Sequence, residues 1–223
     1  MHTITPFAPR RGSRAARGDA HRQSQRASPV PLDPLALQND FVALEPLTFD
    51  HVPGLEAAAA DGELWNLRVT YVPPPGAMRA YVEKALAMQA VGDSLPFAVR
   101  DRRDGAIAGS TRYYDFKPDV PRILIGYTWY GASRQRTHVN TACKLLLAGH
   151  AFDTLGCAAV GWETDILNTR SQRAIERLGA HRDGVLRQHK RRHDGTIRDS
   201  VEYSVIAGEW PALRAKLVAT LER

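Results

Sequence analysis

The stretch from Arg122 to Phe152 constrains this chain more than any other. A β-like run, Ile123-Leu-Ile-Gly-Tyr-Thr-Trp-Tyr130, stops at Gly131. A loop rich in hydroxyls, amides and cations follows, Ser133-Arg-Gln-Arg-Thr-His-Val-Asn140. A helix then begins at once, with Val139, Ala142, Leu145, Leu146, Gly149 and Phe152 on one face, and runs to about Leu155, where Gly156 caps it. A strand that feeds directly into a helix aims the unpaired N–H groups of the first helical turn, and the positive end of the helix dipole, at one point beyond the sheet. That point is a cradle for phosphate or pyrophosphate. Gln135, Arg136, Thr137, His138, Asn140 and Thr141 surround it, Arg136 with a permanent charge. A solvated loop with routine capping by Thr137 or Asn140 is the alternative.

The rest of the chain supplies a sheet around this junction. Leu37–Leu47 reads as a first strand, Thr48 or Asp50 caps a short helix through Ala57–Ala60, and a second helix after the 73–76 Pro-Pro-Pro-Gly carries Met78, Tyr81, Val82, Ala85 and Met88 at helical spacing. Strands are expected at Leu95–Asp101, Ala106–Phe116 and Arg122–Tyr130, the first two joined by an Arg102–Gly105 turn. Ala158–Ile166 is the next strand, Asn168–Leu178 a helix between an Asn168 cap and Gly179, and two last strands flank Asp194-Gly195 before a helix from Glu209. The expectation is α/β (α+β): one domain over residues 34–223, with a mixed, mostly antiparallel sheet and helices on both faces.

Residues 1–33 hold six arginines against Asp19 and Asp33, so most of the formal +6 charge lies there. With almost no periodic apolar residues this segment is expected to be a disordered basic extension. A polyanion-contacting arm and a transit peptide are its other readings. No apolar run reaches the ~18–20 residues that span a bilayer, and the N-terminus lacks the apolar core of a secretory signal. Cys143 and Cys157 then read as reduced apolar fillers of a cytoplasmic protein. The histidines show no metal-ligand spacing with acids or cysteines, so no metal is expected.

The junction, the strand after it, and Asn168-Thr-Arg-Ser171 followed by Glu176-Arg-Leu-Gly179-Ala180 resemble the GNAT superfamily of acyl-CoA-dependent N-acetyltransferases over roughly residues 37–208. The nearest likeness is to the branch that includes ribosomal-protein N-terminal acetyltransferases. The family loop reads Arg or Gln, two residues, Gly, one residue, then Gly or Ala. Gln135 fits, while His138 and Asn140 stand at the two small-residue positions. The resemblance implies acetyl-CoA as co-substrate. Its pyrophosphate would lie on Gln135, Arg136, Thr137, His138, Val139, Asn140 and Thr141. Its pantetheine arm would lie between central strands splayed apart, against Thr128, Trp129, Tyr130 and Asn168. Relatives often place a Tyr seven residues after the helix-opening Asn, where this chain has Ile175; the resemblance instead gives thiolate protonation to Ser171.

For proton removal from the attacking amine, alternation puts Glu163 and Asp165 on one face of their strand, and a water relay is the alternative. His189-Lys-Arg-Arg-His193 precedes the last turn. It reads either as an attractor of acidic groups beside the acceptor or as a charged strand edge. The expected activity is acetyl transfer to a primary amine, a protein N-terminus or a small amine. Two other functions compete: a non-catalytic acyl-CoA sensor, and a basic RNA-associated protein. The near-balanced charge of the folded part confines nucleic-acid contact to the tail.

Overall fold

The computed structural model describes residues 33–223, so the basic extension expected over residues 1–33 lies, but for Asp33, outside them. Eight strands form one sheet: β1 (Leu37–Gln38), β2 (Val42–Pro46), β3 (Ser94–Asp101), β4 (Ile107–Lys117), β5 (Arg122–Tyr130), β6 (Ala159–Asp165), β7 (His181–Arg191) and β8 (Ile197–Ile206). Their spatial order is β1-β2-β3-β4-β5-β6-β8-β7, and only the β5–β6 neighbours run parallel. The helices are α1 (Val52–Ala60), α2 (Met78–Ala90), α3 (His138–Gly149), α4 (Thr169–Leu178) and α5 (Trp210–Leu221).

Alternation along the strands divides the core in two. Ala98 and Trp129 face α1 and α2, packing with Leu55, Met78, Tyr81 and Val82. Phe97, Tyr113, Ile123, Val160 and Trp162 face the opposite way, onto α3, α4 and α5. Burying large apolar side chains on both faces is the main favourable term in such a sandwich.

Two element boundaries differ from the sequence reading. Leu37–Leu47 is a hairpin, because Asn39 Oδ1 accepts hydrogen bonds from the N–H groups of Phe41 and Val42 (both 3.0 Å) and turns the chain back. The central helix loses its regular α pattern at Gly149, and His150–Thr154 add one wide π turn before Gly156, whose φ is +65°. Cys143 and Cys157 are buried free thiols.

Two backbone features shape the centre of the sheet. Arg112 pairs with Gly126 and Ser110 with Trp129, so Tyr127 and Thr128 together oppose the single residue Thr111. This is a β-bulge, with Tyr127 at φ +50°. Before the bulge, β5 and β6 pair only at Arg122–Ala159, Ile123–Val160 and Leu124–Gly161, and then part.

Candidate active site

The gap between the parting strands opens into a cleft of about 880 Å3. Ile125–Tyr130 form one wall, Trp162–Asp165 the other. Its lining is strongly basic: among the described residues Glu163 and Asp165 are the only acids in it.

One end is built by the strand–helix junction. Gln135 donates from Nε2 to the Tyr130 carbonyl (2.8 Å) and accepts from Arg170 Nη1 (2.8 Å), tying the loop to α4. Arg134 pairs with Asp101 (2.8 Å) and Asp104 (2.5 Å), holding the loop from beneath. Arg136 is exposed and adopts a left-handed backbone, φ +62°. Thr137 caps α3 by accepting from the Val139 N–H. Gln135, Arg136 and Asn140 line the cleft, whereas Thr137, His138, Val139 and Thr141 lie outside its lining. The His138 ring turns away, toward Asp101 (3.2 Å) and Phe41, so its bulk stays out of the cleft although it occupies the usual glycine position. Val139 is buried in the core.

On α4, Asn168 caps the helix by accepting from the Ser171 N–H (3.0 Å), while its amide donates to Thr70 (3.3 Å). Ser171 lines the cleft, and its hydroxyl makes no hydrogen bond to another described residue. Ile175 is buried in the core. Arg170, Arg173 and Arg177 also line the cleft. Their three- and four-residue spacing places them on one helical face, a signal the sequence carried unread.

Thr128, Trp129 and Tyr130 belong to the β5 wall. Beneath Thr128 lies Lys144, which sequence reasoning passed over. It is buried, and its Nζ donates to Thr128 Oγ1 (3.1 Å), which pairs in turn with Thr111 Oγ1 (2.8 Å). No carboxylate pairs with Lys144 among the described residues. Burial pulls its pKa down to about 8.

Glu163 and Asp165 both reach the cleft but in different states. Asp165 accepts from Arg192 Nε (2.6 Å) and Nη2 (3.0 Å) and from the Leu167 N–H (2.9 Å). Burial pushes its carboxyl up, yet Arg192 and these hydrogen bonds hold it below the usual range. Glu163 meets Lys190 (2.7 Å), Arg198 and His189. There too burial opposes ionisation, and Lys190, Arg198 and His189 outweigh it. The His189–His193 cluster is thus largely spent on the β6 carboxylates instead of standing free in solvent.

A strap over the far end completes the enclosure. The α1–α2 connection is tied to the β7–β8 tip by Arg68–Asp194 (3.0 Å), by the His193 ring against the Leu67 carbonyl (3.1 Å), and by Tyr71 against the His193 ring.

A family model described as acetyltransferase (GNAT) domain matches residues 42–181. Among solved structures, a GCN5-related N-acetyltransferase from Brucella melitensis is 32% identical, with 88% of this chain and 90% of that one covered and a TM-score of 0.75. A T. thermophilus protein assigned to the acetyltransferases is 33% identical over 85% and 98% of the two chains, TM-score 0.76. RimJ of Mycobacterium smegmatis, solved with CoA-disulfide, shares the fold at 20% identity, with 85% of this chain and 95% of that one covered and a TM-score of 0.68. Among curated proteins no sequence matches. No helix of the described residues is long and apolar enough to cross a membrane. A splayed β5–β6 pair, a capped helix at its mouth and the match over residues 42–181 converge on one assignment: the chain belongs to the GNAT acetyltransferase family.

Proposed function

We propose that the protein is an N-acetyltransferase that moves the acetyl group of acetyl-CoA directly onto a primary amine, in the manner of the ribosomal-protein N-terminal branch. The observation that carries this reading is the basic cleft that runs from the start of α3 through the gap between β5 and β6. The diphosphate lies at the start of α3 beside Gln135, Arg136 and Asn140, with Thr137 capping that turn and His138 bracing it through Asp101 from outside the cleft. The pantetheine arm passes Thr128, Trp129, Tyr130 and Asn168.

A neutral amine attacks the thioester carbon, a C–N bond forms, and the oxygen gains charge facing the backbone N–H groups of the bulged Thr128–Tyr130 segment. The C–S bond then breaks, and Ser171 supplies a proton to the departing thiolate. Glu163 and Asp165 are the carboxylates available for the ammonium proton. Arg192 holds Asp165, and Lys190 and Arg198 hold Glu163, so the proton leaves the amine through water instead of passing directly to either carboxylate. Held below the usual carboxylate range, Glu163 stays ionised at neutral pH, and the acceptor's own pKa, near ~8 for an α-amine, sets the pH dependence of the rate.

Thermal melting with acetyl-CoA, followed by thiol release across a panel of amines, tests the reading. Arg136→Glu is expected to weaken acetyl-CoA binding about tenfold or more, since one favourable charge becomes an unfavourable one. Undiminished affinity removes Arg136 from the diphosphate site. Ser171→Ala is expected to lower kcat about a hundredfold with the acetyl-CoA melting shift intact. Unchanged turnover takes Ser171 out of the mechanism.

A further inference from the structure

The α2 side of the cleft holds a group the reaction does not use. Arg112 stands mid-strand on β4, between partners Pro96 and Gly126, and is only 2% exposed. Its guanidinium lies between two aromatic rings, 5.0 Å from the centre of Tyr81 and 4.6 Å from that of Tyr127. The rings meet its charge, but neither tyrosine hydroxyl takes a hydrogen bond from it. Nη1 has only the Met88 sulfur, at 3.7 Å, and the buried Nε has no partner. No carboxylate pairs with Arg112 among the described residues, although the half-buried Arg192 of the same cleft holds Asp165 with a bidentate grip.

Burying a guanidinium with its fork of donors unmet is costly, and the flanking rings offset only part of that cost. Such a group is at home where a bound anion completes it. On the acetyltransferase reading Arg112 stands in the half of the cleft away from the α3 junction, the half left for the acceptor. Tyr127 joins it to Tyr114 (5.2 Å between ring centres), the Lys190 ammonium lies 6.0 Å from the Tyr114 ring, and Lys190 holds Glu163.

Building on the acetyltransferase reading above, we propose that Arg112 recognises an anionic group, a carboxylate or a phosphate, on the amine that accepts the acetyl group. Tyr81 and Tyr127 hold the guanidinium plane in place. Tyr127, 48% exposed on the bulge, forms the side of the subsite that the acceptor passes. The two anions share the chemistry of a planar or tetrahedral set of oxygens taking paired N–H donors.

The experiment compares amines that differ only in the anion: glycine with glycinamide, β-alanine with its amide, and phosphoethanolamine with ethanolamine. Thiol release gives kcat and KM. Calorimetry on the CoA-loaded protein gives binding without turnover. The anionic member of at least one pair is expected to win by about tenfold or more in kcat/KM, mostly through KM, and Arg112→Gln should shrink that margin below about twofold. The carboxylate and phosphate pairs show which anion is read. Equal binding within all three pairs overturns the proposal, as does a preference that survives Arg112→Gln. The wild-type comparison needs no variant, so a poorly folding Arg112→Gln does not blunt it. Acetyl-CoA melting shifts report separately on the acetyltransferase reading: a protein that binds the coenzyme yet ignores the anion refutes only the role given to Arg112.

Discussion

Lys144→Met is expected to be more stable than the native chain at pH 7, by about 2 kcal/mol in denaturant unfolding. The lysine is buried in α3 with one hydroxyl partner, Thr128, and no acid among the described residues. Its pKa falls from 10.5 to about 8, so holding the charged form in the folded state costs about 3 kcal/mol, and losing the Thr128 hydrogen bond returns about 1. The pH dependence has a definite sign. Below pH 8 the lysine is protonated in both states and the full cost is felt. Between about 8 and 10.5 the folded protein gives up the proton while the unfolded chain keeps it, so this group makes native stability rise with pH. The methionine variant lacks that rise, so the two curves cross between about pH 8 and 10.5, above which the native chain leads by about 1 kcal/mol, the Thr128 hydrogen bond. A destabilised variant, or parallel curves, would show that Lys144 is solvated or paired.

Gly109→Ala is expected to lose about 3 kcal/mol or more of stability and to melt well below the native protein. A Cβ at this position would lie 2.0 Å from the Trp129 carbonyl oxygen and 2.9 Å from the Tyr130 Cα, both backbone, and φ is +155°. Neither strand can yield without opening the β4–β5 ladder beside the bulge. Gly208→Ala is the control: nothing lies within 4 Å of its added methyl, and its melting temperature should match the native one closely. Circular dichroism melts of the two variants, side by side, check both. If Gly109→Ala melts with the native protein, the close approach of these strands is wrong.

The order of elements was legible because each carries its own period and its own stop signal. Asn168 and Gly179 bracket α4 as expected, and Asp194-Gly195 turns the last hairpin. What escaped was set by partners distant in the chain. The alternation that aimed Glu163 and Asp165 at the cleft gave no sign that Lys190 and Arg192, 27 residues on in each case, would claim them. Tyr127 takes the left-handed backbone of the bulge with a full side chain, so no glycine marked the spot. Arg112 sits in an expected strand, and only packing reveals that its donors lack partners. Asn39 split the first strand through a side-chain turn that strand propensity does not register.

The strands that separate after Leu124 and Gly161 leave a doorway through the thickness of the sheet. On the proposed reading, the coenzyme comes to it along α3 and α4, and the amine from the opposite side, under the strap. Neither has to leave before the other enters, so both are held together when the new amide forms. The protein need never carry the acetyl group itself, and its two thiols can stay shut away in the core.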